Sequence, residues 1–197
     1  AIAPIQNKLG ALLSDPTLYR ILVEPMADVR FRALMDEGRG LLVNLSKGQL
    51  GEDATHVLGG LIVNTIALAA FSRAEVAPDQ RRPFHLYVDE FQSFTTLSFV
   101  NMMAELRKYG VGLTLAHQHL DQLEPEIRHA VLANAGTLIC FRVGAEDAPL
   151  LAAELQPELT AEDLVGLPNY KFFLRCMIEG TPSRPFSARL MARGYPG

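Results

Sequence analysis

The chain has 197 residues, of which 49% are hydrophobic and 20% charged, with a formal net charge of −4. That length suits one sizeable α/β domain or one with an appendage, and the balance is that of a folded globular chain. The negative charge excludes a broadly basic nucleic-acid surface, though not a few basic residues lining a pore.

Ile5, Leu9, Leu12 and Leu13 recur at helical spacing. The pattern is already under way at Ala1, and no signal-peptide pattern precedes it, so the chain is expected to be a piece of a longer protein. Asp15-Pro16 reads as an N-cap followed by a first-turn proline. Phe31 to Glu37 reads as a short helix stopped by Gly38. Leu41 to Leu45 is expected to be a first buried strand and Ser46 to Gly51 a loop. A helix of about Asp53 to Phe71 follows, with Val57, Leu58, Leu61, Ile62 and Ile66 on its apolar face. Its apolar run is short for a membrane span. Ser72 to Pro83, with Arg81-Arg82, reads as a polar surface connection.

Phe84-His85-Leu86-Tyr87-Val88 is a run of strand formers that ends in Asp89-Glu90-Phe91-Gln92. Such runs are buried parallel strands, covered on both faces. A carboxylate buried without a partner is costly, so the acidic pair is expected where the strand emerges. In open α/β sheets that C-terminal edge is where ligands bind. Phosphate-bond hydrolysis uses such a pair: one carboxylate holds Mg²⁺, directly or through water, and the next polarises the attacking water. An ordinary acidic turn would look the same.

Phe99, Met102, Met103 and Leu106 define the next helix, ended by Gly110. Val111 to Ala116 is expected to be a strand leading into His117-Gln118-His119. Pro125 starts a short helix, Thr137 to Val143 reads as a further strand, and Ala145 to Leu155 as a helix. Thr160 and Asp163 form a capping-box pattern. Lys171 to Ile178 and Phe186 to Met191 read as a β-hairpin. Strand and helix alternate from Leu41 to Leu155, the pattern of a parallel sheet with right-handed crossovers. Cys140 and Cys176 lie in apolar runs and read as reduced thiols. His117 and His119 have ligand-like spacing, but the sequence identifies no third ligand.

Three features stand in order: the strand ending in Asp89-Glu90, the helix end Glu105-Leu106-Arg107-Lys108-Tyr109-Gly110, and the strand Val111 to Ala116 leading into His117-Gln118. With Leu42-Val43-Asn44-Leu45-Ser46-Lys47-Gly48 and Asn134 to Val143, the set resembles the ring-forming motor ATPases of the FtsK/HerA clan. It is most similar to the TraG/TraD-like conjugative coupling proteins of type IV secretion. The resemblance implies a RecA-like P-loop NTPase fold, mostly parallel, with a C-terminal β-hairpin. It implies a helical segment at 1–38, an ATPase core at 39–166 and the hairpin and tail at 167–197.

The resemblance also implies roles. Asp89 would stand on the Mg²⁺ side, through water, and Glu90 would be the catalytic base. Gln118 would be a polar sensor of the γ-phosphate or attacking water, a job that suits an amide because it donates and accepts. Arg107 would be an arginine finger offered to a neighbouring subunit. Taken alone, Arg107 at a helix end also complements the macrodipole, and Gln118 could cap a helix. Arg142 reads either as phosphate-side chemistry or as a paired core arginine. The parent would use ATP and Mg²⁺, assemble as a ring, expected to be a hexamer, and move DNA or a DNA–protein substrate. It would work with secretion-channel proteins in the cytoplasm, at the inner face of the membrane. The DNA-binding residues are not identified.

The departure from the family is the phosphate loop. No G-x-x-x-x-G-K-[ST] occurs in the chain, so this piece is expected to bind nucleotide poorly, to be inactive alone and to need no cofactor. The strand and helix of that loop are absent, which leaves the sheet incomplete, its unpaired edges open to association. Two rivals remain: a non-enzymatic RecA-like interaction or scaffold domain, and a metal-dependent hydrolase using Asp89, Glu90 and the histidines.

Overall fold

A computed structural model describes residues 10, 14–24, 28–94 and 97–191. The helix expected around Ile5 to Leu13 lies outside the described residues. The chain divides into two compact units, residues 1–116 and 117–197.

In the first unit, α1 (Pro16–Leu22) starts as its sequence demands. The Asp15 carboxylate accepts from the N–H groups of Thr17 and Leu18 at 2.8 and 3.0 Å, satisfying two donors that the helix cannot. α2 (Phe31–Glu37) ends at Gly38, whose φ of 68° is the left-handed stop that glycine adopts most easily. A single turn, α3 (Lys47–Leu50), stands where a loop was expected. α4 (Glu52–Phe71) buries Ala54, Leu58, Val63, Ile66, Ala67 and Ala70. Its length and apolarity would suit a membrane span, but that apolar face is taken up by the core of this unit. β1 (Phe84–Val88), α5 (Leu97–Leu106) and β2 (Val111–Leu115) complete the unit. The two strands pair in parallel, from Phe84 opposite Val111 to Val88 opposite Leu115. Met35, Ile66, Ala67, Ala70, Leu106 and Val111 form the core, with Phe84 and Leu86 packed on it.

The entry to both strands is held by a buried arginine. Arg73 is 1% exposed. Its guanidinium donates to the Tyr109 carbonyl at 3.1 Å and the Arg82 carbonyl at 2.5 Å, and Nε lies 3.5 Å from Asp36. Burial lowers its pKa from the ordinary value, an effect that Asp36 opposes. In the surface connection, Arg81 is half-buried and Arg82 exposed, and both also bond backbone carbonyls. Arg81 donates to the Val76 carbonyl at 2.8 Å and to that of Lys108, and Arg82 to the Glu37 carbonyl at 3.1 Å. Three guanidiniums therefore satisfy the carbonyls that precede β1 and β2 and those at the end of α2.

Leu41 to Leu45 is not a strand. Residues 39–46 have no regular structure, and Leu42 is 96% exposed. A strand exists only through a hydrogen-bonded neighbour, and the sheet of this unit consists of β1 and β2.

The second unit contains α6 (Pro125–Asn134), β3 (Leu138–Cys140), α7 (Ala148–Glu154), α8 (Ala161–Val165), β4 (Lys171–Arg175), β5 (Met177–Ile178), β6 (Thr181–Pro182) and β7 (Phe186–Arg189). Thr160 and Asp163 form the expected capping box on α8. The expected hairpin is present: β4 pairs antiparallel with β7, and β5 and β6 form a short ladder between them. Contrary to the alternation pattern, β3 is only three residues long and pairs antiparallel with β4, Leu138 opposite Arg175 and Cys140 opposite Phe173. The parallel portion of the fold is therefore β1 and β2, and the α/β class stands with added antiparallel strands. Periodicity marks Thr137 to Val143 as apolar but carries no information on its partner. Cys140 and Cys176 are free. Burial pushes the Cys140 thiol up to about 11, as fits a core residue.

Arg73→Ala removes two charged, part-buried hydrogen bonds and leaves the Tyr109 and Arg82 carbonyls without this donor, so it should lower stability by about 3 kcal/mol. Arg107→Ala, on an exposed side chain, should stay within about 0.5 kcal/mol. Urea denaturation of both variants measures the difference.

Candidate functional site

β1 alternates as a strand with one covered face. Phe84, Leu86 and Val88 are half-buried, whereas His85 and Tyr87 are exposed, Tyr87 by 71%. The expectation of cover on both faces is therefore not met, because only one face meets the core of this unit. The strand stops at Val88. There the Ala116 N–H donates to the Val88 carbonyl at 2.9 Å, and the Phe91 N–H donates to the Ala116 carbonyl at 3.2 Å. The chain thus folds over the tip of β2, with Asp89 and Glu90 at the crest. This is the C-terminal edge of the parallel pair, as the apolar run ending in two acids implies.

The two carboxylates have different surroundings. Asp89 is exposed, and its Oδ1 accepts from the Glu90 N–H at 3.0 Å. That bond orients the carboxylate and leaves its second oxygen for a cation. Glu90 is half-buried, and its Oε2 accepts from Gln92 Nε2 at 2.5 Å. Its backbone is left-handed, with φ 49° and ψ 46°. Glutamate has neither glycine's freedom nor the short side chain that lets asparagine tolerate this region, so the conformation is strained. The strain is sustained from below. Phe91 is 1% exposed and Ser93 is buried, and the Phe94 ring lies so close to Gly59 of α4 that a Cβ there would overlap it. Neither the left-handed glutamate nor the bracing by Gln92 has a signal in the sequence, since both arise from the tight turn over β2.

Arg107 stands at the other end. It lies in the single turn Arg107–Tyr109 that precedes β2 and is exposed. Because the strands are parallel, five residues of β2 separate that turn from the edge bearing the acids, roughly 16 Å at a strand's rise. Within one copy, Arg107 and the Asp89-Glu90 pair are not brought together. Gln118 belongs to the second unit, is exposed and makes a polar contact. Arg142 is also exposed, in the irregular segment after β3, so the paired-core-arginine reading does not hold.

Asp89 has the donor chemistry for a hard divalent cation, a carboxylate at a strand tip that can also hold one through water. A cradle for a triphosphate is a different matter, because the chain has no glycine-rich lysine loop.

Residues 83–154 match the family model described as the TraM recognition site of TraD and TraG. That segment holds β1, β2, Asp89, Glu90, Arg107, Gln118 and Arg142. No curated protein matches the chain. Among solved structures, a bacterial conjugative coupling protein, TrwB lacking its N-terminal portion, in an unbound form, shares the fold with a TM-score of 0.73 at 15% identity, over 93% of this chain. The plasmid coupling protein TrwB in complex with the non-hydrolysable ATP analogue ADPNP gives 0.74 at 15% identity, again over 93%. This chain spans 48% of the length of each. These structural likenesses show that the chain has the RecA-like α/β fold of the coupling proteins.

If Glu90 is strained for a purpose other than folding, removing the side chain should stabilise the unit. Glu90→Gly should raise unfolding free energy by about 1 kcal/mol, since glycine occupies this region without steric cost. Thermal and urea melts of the 197-residue chain read the sign directly.

Proposed function

We propose that this chain is the carboxylate-bearing half of a nucleotide-hydrolysing motor of the conjugative coupling kind. The observation that carries the reading is the placement of Asp89 and Glu90 at the C-terminal tip of β1, level with the end of β2. The segment in which they sit matches a coupling-protein family, and the fold matches a structure solved with an ATP analogue.

In this reading Asp89 holds a hydrated Mg²⁺, and Glu90, fixed by its turn and by Gln92, accepts a proton from the attacking water. The metal, when bound, screens the charge of the phosphates. Gln118 senses the terminal phosphate or the water from the segment that follows β2, and Arg142 serves the phosphate side. Arg107, on the opposite edge, acts as a finger toward a neighbouring copy. The separation of Arg107 from the acids fits a ring, a hexamer by the family resemblance, in which Arg107 reaches the site of another subunit. The phosphate-binding loop is supplied by residues outside this sequence. DNA or a DNA–protein complex is the cargo. Partners of the TraM kind and secretion-channel proteins deliver and receive it at the cytoplasmic face of the inner membrane.

Two measurements test the proposal. The 197-residue chain should bind a fluorescent ATP analogue no more tightly than about millimolar, for want of backbone amides around the phosphates; submicromolar binding would contradict the assignment of the cradle. In the longer protein that carries this chain, Glu90→Gln should lower turnover by at least about 100-fold while nucleotide still binds. Unchanged turnover would remove Glu90 as the base.

A further inference from the structure

The second unit contains a group of metal-ligating side chains that the proposed hydrolysis does not use. His119, Asp121 and Asp147 each place one ligand atom within 4.8 Å of the others. His119 and Asp121 are exposed, whereas Asp147 is only 4% exposed. His119 and Asp121 flank Leu120, itself buried, whose N–H donates to Asp147 Oδ2 at 3.1 Å. That one buried hydrogen bond holds the histidine, the aspartate beside it and the carboxylate 26 residues further on in a single cluster.

Anchoring Leu120 explains only one oxygen of Asp147. The other, Oδ1, is buried and has no hydrogen-bond donor. No ion pair to Asp147 exists among the described residues. Nor does the carboxylate cap the helix it precedes, α7. A carboxylate removed from water with one neutral donor is poorly compensated. A cation at the cluster would supply what it lacks. The backbone donor on Oδ2 would then act as the outer hydrogen bond that commonly orients a ligating carboxylate.

We infer that His119, Asp121 and Asp147 form a binding site for a divalent transition-metal ion of zinc's type, which clamps the segment after β2 to the turn before α7. One imidazole nitrogen and two carboxylate oxygens suit zinc better than magnesium, which prefers an all-oxygen octahedron. Three protein ligands leave a fourth position for water. The site is independent of the nucleotide reading, since it uses none of Asp89, Glu90, Arg107, Gln118 or Arg142.

The test uses the 197-residue chain, stripped with chelator and passed over a desalting column. Zn²⁺ is titrated by calorimetry against a competing chelator, stoichiometry is read by native mass spectrometry, and melting temperature is recorded with and without metal. Binding of one Zn²⁺ per chain, with a rise in melting temperature that equimolar Mg²⁺ does not reproduce, is expected. His119→Gln and Asp121→Asn alter exposed side chains and should each weaken Zn²⁺ binding at least about 10-fold. Asp147→Asn should abolish it, and the two exposed variants carry the test if that protein does not fold. Wild-type affinity in both His119→Gln and Asp121→Asn, or an equal response to Mg²⁺, would overturn the assignment.

Discussion

The parallel pairing of β1 with β2 is the constraint from which the candidate site follows. The register, Val88 opposite Leu115, makes the two strands end together. Because they end together, the chain leaving β1 can donate the Phe91 N–H to the Ala116 carbonyl, and Asp89 and Glu90 are carried over the tip of β2. A shift of one residue would turn each strand's apolar set away from the core. The register is pinned at the other end by Arg73, which bonds carbonyls just ahead of each strand, and by the Phe84 N–H on the Gly110 carbonyl at 2.9 Å. Buried guanidinium chemistry at the entry of the strands thus sets carboxylate chemistry at their exit.

This polarity has a functional consequence. A parallel pair separates its two ends by its full length, so acids at one end and Arg107 at the other do not meet within a copy. In the reading proposed above, such a separation suits active sites that lie between subunits. The left-handed Glu90 fits the same view. Buried Phe91, and Phe94 against Gly59, brace this strained glutamate in one backbone conformation, which suits the base role proposed for it above.

Much of this was legible in the chain. Asp15, Gly38, Gly110, and Thr160 with Asp163 announce helix ends through local chemistry, and each does so in the structure. The run Phe84 to Val88 ending in two acids places the site because burial of apolar residues and exposure of carboxylates pull the same way. Leu41 to Leu45 has an equally apolar pattern but is not a strand, since pattern alone cannot provide a hydrogen-bonded neighbour. The antiparallel seat of β3 was hidden for a related reason: its partner lies more than thirty residues later in the chain. Arg73 could not have been singled out, because nothing in Ser72-Arg73-Ala74 shows that its charge will be buried among carbonyls.

The most direct measurement is the position of a metal ion relative to β1. The longer protein carrying this chain would be crystallised with ADPNP and Mn²⁺, and anomalous differences collected at the manganese edge. The account predicts a manganese peak at the tip of β1, either about 2.1 Å from an Asp89 oxygen or one water further away, with Glu90 facing the terminal phosphate. A manganese–nucleotide peak elsewhere, with Asp89 and Glu90 turned to solvent, would contradict it.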